Sequence, residues 1–107
     1  MERYFWRAKI IEGKKDEYIK RHNEIWKEMK DALTAAGVCN YSIWTDGNDV
    51  FGYYECRYGA DYAAKVQRES EAVKRWNVYM QDVMVMGTDE KTGAQPKLEE
   101  VFYFAGD

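Results

Sequence analysis

Proline occurs once in this chain of 107 residues, histidine once and cysteine twice. One histidine and two cysteines without a CxxC pair cannot assemble the ligand set of a zinc centre, so no metal is expected. Positive charge is not in excess either: 16 Lys and Arg stand against 19 Asp and Glu, for a net charge of −3. The densest basic pair, Lys14-Lys15, runs straight into Asp16-Glu17. A nucleic-acid binder needs a basic face to displace counterions, so no such partner is expected. Apolar runs fall well short of the ~20 residues that cross a bilayer, which excludes a helical span. Met1-Glu2-Arg3 lacks the apolar stretch of a secretory leader, and a cytoplasmic location is the expectation. There is no GxSxG and no Walker-type glycine loop, and Ser42 and Ser70 sit in no nucleophile elbow. Hydrolysis through a serine and phosphoryl transfer are set aside.

What the chain has in quantity is rings. Aromatic residues make up 16%, led by 9 Tyr and 4 Trp. The length allows one domain, residues 1–107, with a self-sufficient core. Arg3 to Ile11 alternates as a strand, with Tyr4, Trp6, Ala8 and Ile10 on one face. One long helix is expected from Lys15 to Ala36, because Tyr18, Ile19, His22, Ile25, Trp26, Met29 and Leu33 recur at helical spacings. Gly37 follows in the place of a left-handed cap. Val38 to Trp44 and Val50 to Cys56 read as a hairpin. Closing it on Thr45 and Val50 would set Cys39 opposite Cys56, close but reduced. A helical stretch then runs to about Met84, with Asp61 as its cap and an interruption at Ser70. Gly87 to Pro96 is a polar loop, and Lys97 to Phe104 the last strand.

Strand, helix, strand, strand, helix, strand, joined by right-handed crossovers, is a ferredoxin-like α+β sandwich. Helices cover one face of such a sheet. Rings stand on both, as in Phe5 beside Trp6 and Tyr53 beside Tyr54. A second covered face implies a homodimer of the dimeric α+β-barrel type.

His22 is the candidate for chemistry. A lone histidine is usually a hydrogen-bonded structural residue, but this one has Tyr18 one turn before it and Trp26 one turn after. An imidazole within such a stripe is partly desolvated and titrates where a proton shuttle works best. One histidine, several phenols and several indoles make a cofactor-free inventory that suits a sugar. Rings cover its apolar faces, and hydroxyls pair with Tyr and Asn groups.

The segments Arg21-His22-Asn23-Glu24-Ile25-Trp26, Asn40-Tyr41-Ser42-Ile43-Trp44, Arg75-Trp76-Asn77-Val78-Tyr79-Met80-Gln81-Asp82-Val83-Met84 and Glu99-Glu100-Val101-Phe102-Tyr103 resemble the L-rhamnose mutarotase family. The resemblance covers nearly the whole chain. It implies an isomerase of carbohydrate metabolism that interconverts the α and β anomers of L-rhamnopyranose, or a related 6-deoxyhexose, without a cofactor. It also implies His22 as proton donor, with Tyr18, Tyr41 and Trp76 against the sugar. Where the family often has a second Trp, this chain has Asn77, whose amide could pair a hydroxyl that an indole would only cover. Lys27 stands where a proline is common. The alternative is a small monooxygenase or ligand-binding protein of the same dimeric group, since the fold alone decides neither.

Overall fold

In the computed structural model, which describes residues 1–85 and 98–106, the alternation near the start forms β1, Glu2–Ile10. Tyr4, Trp6 and Ile10 are buried, while Phe5, Arg7 and Lys9 face outward. One face of the strand therefore meets the core.

The single helix expected over 15–36 is two helices, α1 (Lys15–Asn23) and α2 (Lys27–Ala35). The break is at Trp26, whose backbone is extended at φ −64° and ψ 146°. Before it the last turn tightens, with the Ile25 amide reaching back only to the His22 carbonyl at 3.3 Å. The break lets the Trp26 indole pack against Trp76 and Tyr79, with ring centroids 5.2 Å from each. Gly37 caps α2 as expected, at φ +79°.

The hairpin comprises β2 (Val38–Asp46) and β3 (Asp49–Cys56), with Thr45 opposite Val50 as expected. Cys39, however, faces Glu55 rather than Cys56, because the register shifts between Cys39 and Ser42. The extra residue is accommodated at Asn40, φ +50°, a left-handed conformation that asparagine tolerates. Its amide donates to the Glu55 carboxylate. The bulge thus turns Val38, not Cys39, to the core side opposite Cys56, and neither cysteine is in a disulfide.

Next come α3 (Ala60–Glu69) and α4 (Glu71–Tyr79). Asp61 is not the cap of α3. Gly59 holds that position, and the Glu2 carboxylate reaches from β1 to accept from the Ala60 amide at 2.7 Å. At Ser70 the expected interruption is present, and its hydroxyl accepts from the Val73 amide at 3.3 Å. A 3₁₀ turn, Met80–Asp82, leads to β4, Met84–Val85.

The sheet runs β2-β3-β1-β4, every pair antiparallel, which is the ferredoxin-like order. Its last strand is not where the sequence pattern put it. The chain leaves α4 beside β1, where the Ile11 amide donates to Val83 at 2.9 Å, so Met84 and Val85 take the open flank at Ile10 and Lys9. The expected loop from Gly87 to Pro96, and Lys97 with it, lie outside the described residues. Residues 98–104 form no strand. The Leu98 amide bonds β1, at the Phe5 carbonyl 2.7 Å away.

Candidate active site

Four-residue spacing on α1 puts Tyr18 and His22 on one side of the helix, their ring centroids 4.3 Å apart. Tyr18 is the only residue of α1 that is fully buried. His22 is half-buried and meets the edge of Trp76 from α4, 5.4 Å away at 90°. Trp76 in turn meets Trp26 at 5.2 Å and 90°, and Tyr79 at 5.7 Å. Three of the residues expected from sequence are therefore in one ring cluster, and Trp26 and Tyr79 join them.

Tyr41 comes from β2, on the floor of the same layer. Its ring packs at 4.9 Å from Tyr54, and its hydroxyl accepts from Trp6 Nε1 at 3.1 Å. Indole N–H is a donor only, so this bond leaves the Tyr41 O–H free to donate elsewhere. Tyr41 also lies close enough to Tyr18 for the two phenols to affect each other's ionisation. Asn77 is half-buried on α4, and its side chain makes no hydrogen bond among the described residues.

The polar groups are tuned by burial. His22 Nδ1 lies 3.0 Å from the Tyr18 carbonyl oxygen. A carbonyl only accepts, so Nδ1 carries the proton and the neutral ring presents its lone pair at Nε2. Burial lowers the His22 pKa below its ordinary value, and the bond to Tyr18 opposes this only in part. The ring is thus mostly uncharged at neutral pH. Burial also pushes the Tyr18 phenol up, as it does the Tyr41 phenol. Neither ionises near neutrality, so both serve as hydrogen-bond donors rather than as bases. Among the described residues the buried Tyr18 hydroxyl has no partner, a costly state that a ligand oxygen would relieve.

Arg21, next to His22, is held by Glu17 and by Asp82. Sequence reasoning noted Arg21 and Asp82 without linking them, because they are 61 positions apart. Trp26 and Tyr79 carried a legible signal: each sits one turn from an expected site residue. Among the described residues no three His, Cys, Asp or Glu side chains gather as a metal site would require. A cavity of about 530 Å³ lies on the other face of the sheet, lined by Arg3, Phe5, Tyr53 and residues 98–103, away from His22.

Comparison with known proteins identifies the family. The profile described as L-rhamnose mutarotase matches residues 3–104. A relative from Listeria monocytogenes serovar 1/2a, named L-rhamnose mutarotase, is 40% identical over 107 residues, covering 98% of this chain and 100% of its own. One of the same name from Burkholderia orbicola is 36% identical over 103 residues, covering 96% and 98%. Among solved structures, the crystal structure of L-rhamnose mutarotase FA22100 from Formosa agariphila superposes with a TM-score of 0.78 at 32% identity, covering 97% of this chain and 99% of that one.

Proposed function

The chain belongs to the L-rhamnose mutarotase family, and on that footing we propose that His22 moves the proton as the protein interconverts the α and β anomers of L-rhamnopyranose. The enzyme is an isomerase. Ring opening needs a proton taken from the anomeric hydroxyl and a proton given to the ring oxygen. The O–H pair of the hydroxyl becomes the second bond of the aldehyde, and the C1–O5 pair leaves with the ring oxygen. Both oxygens are bonded to the same carbon, so one imidazole nitrogen serves them in turn. The observation that carries this reading is the Nδ1 contact with the Tyr18 carbonyl at 3.0 Å. It holds the bare Nε2 ready to accept first and then, as the imidazolium, to donate to the ring oxygen. Rotation about the C1–C2 bond and the reverse transfer close the ring on its other face.

Tyr18 and Tyr41 hold sugar hydroxyls with phenols that stay protonated. Trp76, braced by Trp26 and Tyr79, packs against the apolar edge that includes the C6 methyl. Asn77, half-buried and next to Trp76 on α4, is the residue through which the preferred 6-deoxyhexose is selected. Saturation transfer between anomeric protons, with L-rhamnose, L-fucose and D-glucose run in parallel, tests the function. Exchange is expected to be fastest with L-rhamnose, and no acceleration over the uncatalysed rate with any of them would refute it.

The working form is a homodimer. On the outer sheet face, which no helix of the described residues covers, Phe5 and Trp44 are exposed, and beside it Val101, Phe102, Tyr103 and Phe104 are 59–87% exposed. Arg3 lies over the Tyr103 ring at 3.5 Å and pairs with Glu100, which holds this segment against β1. So large an apolar surface is stable in water when a second copy covers it. Sedimentation at low micromolar concentration should return twice 12.6 kDa, and Phe102→Asp should shift the protein toward monomer; a wild-type monomer would contradict the assignment. Two reduced cysteines fit a reducing, cytoplasmic location. No helix among the described residues is long and apolar enough to cross a membrane.

A further inference from the structure

Helix α1 carries two site residues but has little with which to dock. Of its nine residues only Tyr18 is buried, and its N-cap residue, Lys14, forms no side-chain cap. A helix this short is marginal without tertiary support. The support comes from Arg21. Its side chain is 12% exposed, although its carboxylate partners Glu17 and Asp82 are 39% and 64% exposed. Nε donates to Glu17 Oε2 at 2.7 Å, within α1. Nη1 donates across to the Tyr79 carbonyl at 2.6 Å and to Asp82 Oδ1 at 2.8 Å, and Nη2 donates to Asp82 Oδ2 at 3.2 Å. The guanidinium carbon lies 4.2 Å from the centroid of the Tyr79 ring. One planar cation thus occupies the C-terminal end of α4, where helix carbonyls lack partners and the helix dipole favours positive charge.

These contacts close a circuit. Arg21 precedes His22 on α1, binds Tyr79 at the end of α4, and Tyr79 packs on Trp76 and Trp26. Trp76 meets the His22 ring edge-on. We propose that Arg21 is a positioning residue that sets the imidazole on α1 against the indole on α4, and so fixes the direction of His22 Nε2 toward the sugar. This rests on the mutarotase reading for its effect on rate but not for its geometry. Lysine cannot substitute: a point charge on a flexible stem cannot serve Glu17, Asp82 and a carbonyl at once.

The test uses the full-length protein carrying Arg21→Lys, Asp82→Asn, or both. It reads kcat and KM for L-rhamnose together with the ¹⁵N resonances of the His22 ring. With Arg21→Lys, kcat is expected to fall about 10–100-fold, the cost of a misplaced catalytic group, while KM changes less than about 3-fold. The ¹⁵N shifts should turn from a single Nδ1–H tautomer to a mixture. Asp82→Asn should give a smaller loss in the same direction, and the double variant should be no worse than Arg21→Lys, because the two groups act as one unit. If Arg21→Lys does not fold, Asp82→Asn, changed at an exposed carboxylate, carries the test with the same readouts. Wild-type kcat with an unchanged tautomer would overturn the proposal, as would a loss of thermal stability alone. A wild-type protein that exchanges no anomers would end the mutarotase reading instead, and the His22 tautomer in the variants would still decide the clamp.

Discussion

His22→Ala is expected to lower the rate of anomer exchange by about 10²–10⁴-fold, the contribution of a positioned general acid and base, and to leave the fold intact. His22 is half-buried and its side chain has one hydrogen bond, so the variant loses little packing. His22→Gln is the companion, since it keeps polar contact without a titrating group and should be as slow. The pH profile of the wild type adds a sign. Because burial lowers the folded-state pKa of His22 below 6.5, the bare Nε2 that starts the reaction is present at neutral pH. It is lost only on acidification past that lowered value. Exchange should therefore hold steady from neutrality down through the ordinary histidine range and fall only on further acidification, past that lowered value. A rate that climbs on acidification would mean that a resting imidazolium, rather than the neutral ring, begins the transfer. Stability moves the same way. The unfolded chain binds a proton at His22 more readily than the folded one, so the folded state weakens as the pH falls below 6.5. Full exchange by a folded His22→Ala protein would remove His22 from the mechanism.

Gly52→Ala should be among the most destabilising single-methyl changes available in this chain. In β3, Gly52 pairs with Trp6 on β1 and with Ile43 on β2. The Trp6 indole lies flat over it: a Cβ built at Gly52 would stand 2.0 Å from Trp6 Cε2 and 2.3 Å from Nε1. Trp6 is 2% exposed and packed in the core, so its indole is not the far end of a flexible side chain that can swing aside. Overpacking of this kind reaches about 3 kcal/mol. The reciprocal change, Trp6→Ala, empties the largest fully buried side chain and should cost about 3–5 kcal/mol. Because each change alters the same contact, the double variant should be more stable than the sum of the two losses implies, by about 1–3 kcal/mol. Urea melts of the three variants measure this directly. Additive losses would mean that the indole is not held by Gly52. A second consequence concerns the site. Trp6 Nε1 donates to the Tyr41 hydroxyl, so Trp6→Phe, which keeps most of the ring, should loosen Tyr41 and weaken sugar binding while His22 chemistry continues.

The main lines of the fold were legible because they depend on short-range patterns. Alternation along β1, the hairpin closed at Thr45 and Val50, the caps at Gly37 and Ser70, and the order of elements all follow from neighbours in sequence. The site was partly legible for the same reason. Tyr18 and His22 are one turn apart on a helix, and the resemblance to known mutarotases supplied Tyr41 and Trp76. The break between α1 and α2 was not legible, because the apolar spacing runs on through Trp26 and Lys27, the first residue of α2, without interruption.

Sequence by itself determined which residues have chemistry to offer: one imidazole and a stripe of rings beside it. It also determined the ferredoxin-like order of strands and helices, since periodicity and turn residues act within a few positions. Tertiary structure alone decided the rest. The helix stops at Trp26 because the indole gains more by packing on Trp76 and Tyr79 than by completing a turn. The hairpin slips by one residue because Asn40 can adopt a left-handed backbone, and that slip turns Cys39 away from Cys56. Met84 and Val85, not residues 97–104, close the sheet, because the turn after α4 delivers them to the open flank of β1. The protonated nitrogen of His22, the bond that directs Tyr41 and the clamp on Arg21 each depend on where a partner arrives in space. Except for the Tyr18 carbonyl and the Glu17 carboxylate, both one turn away on α1, those partners come from distant parts of the chain, where no local spacing encodes them.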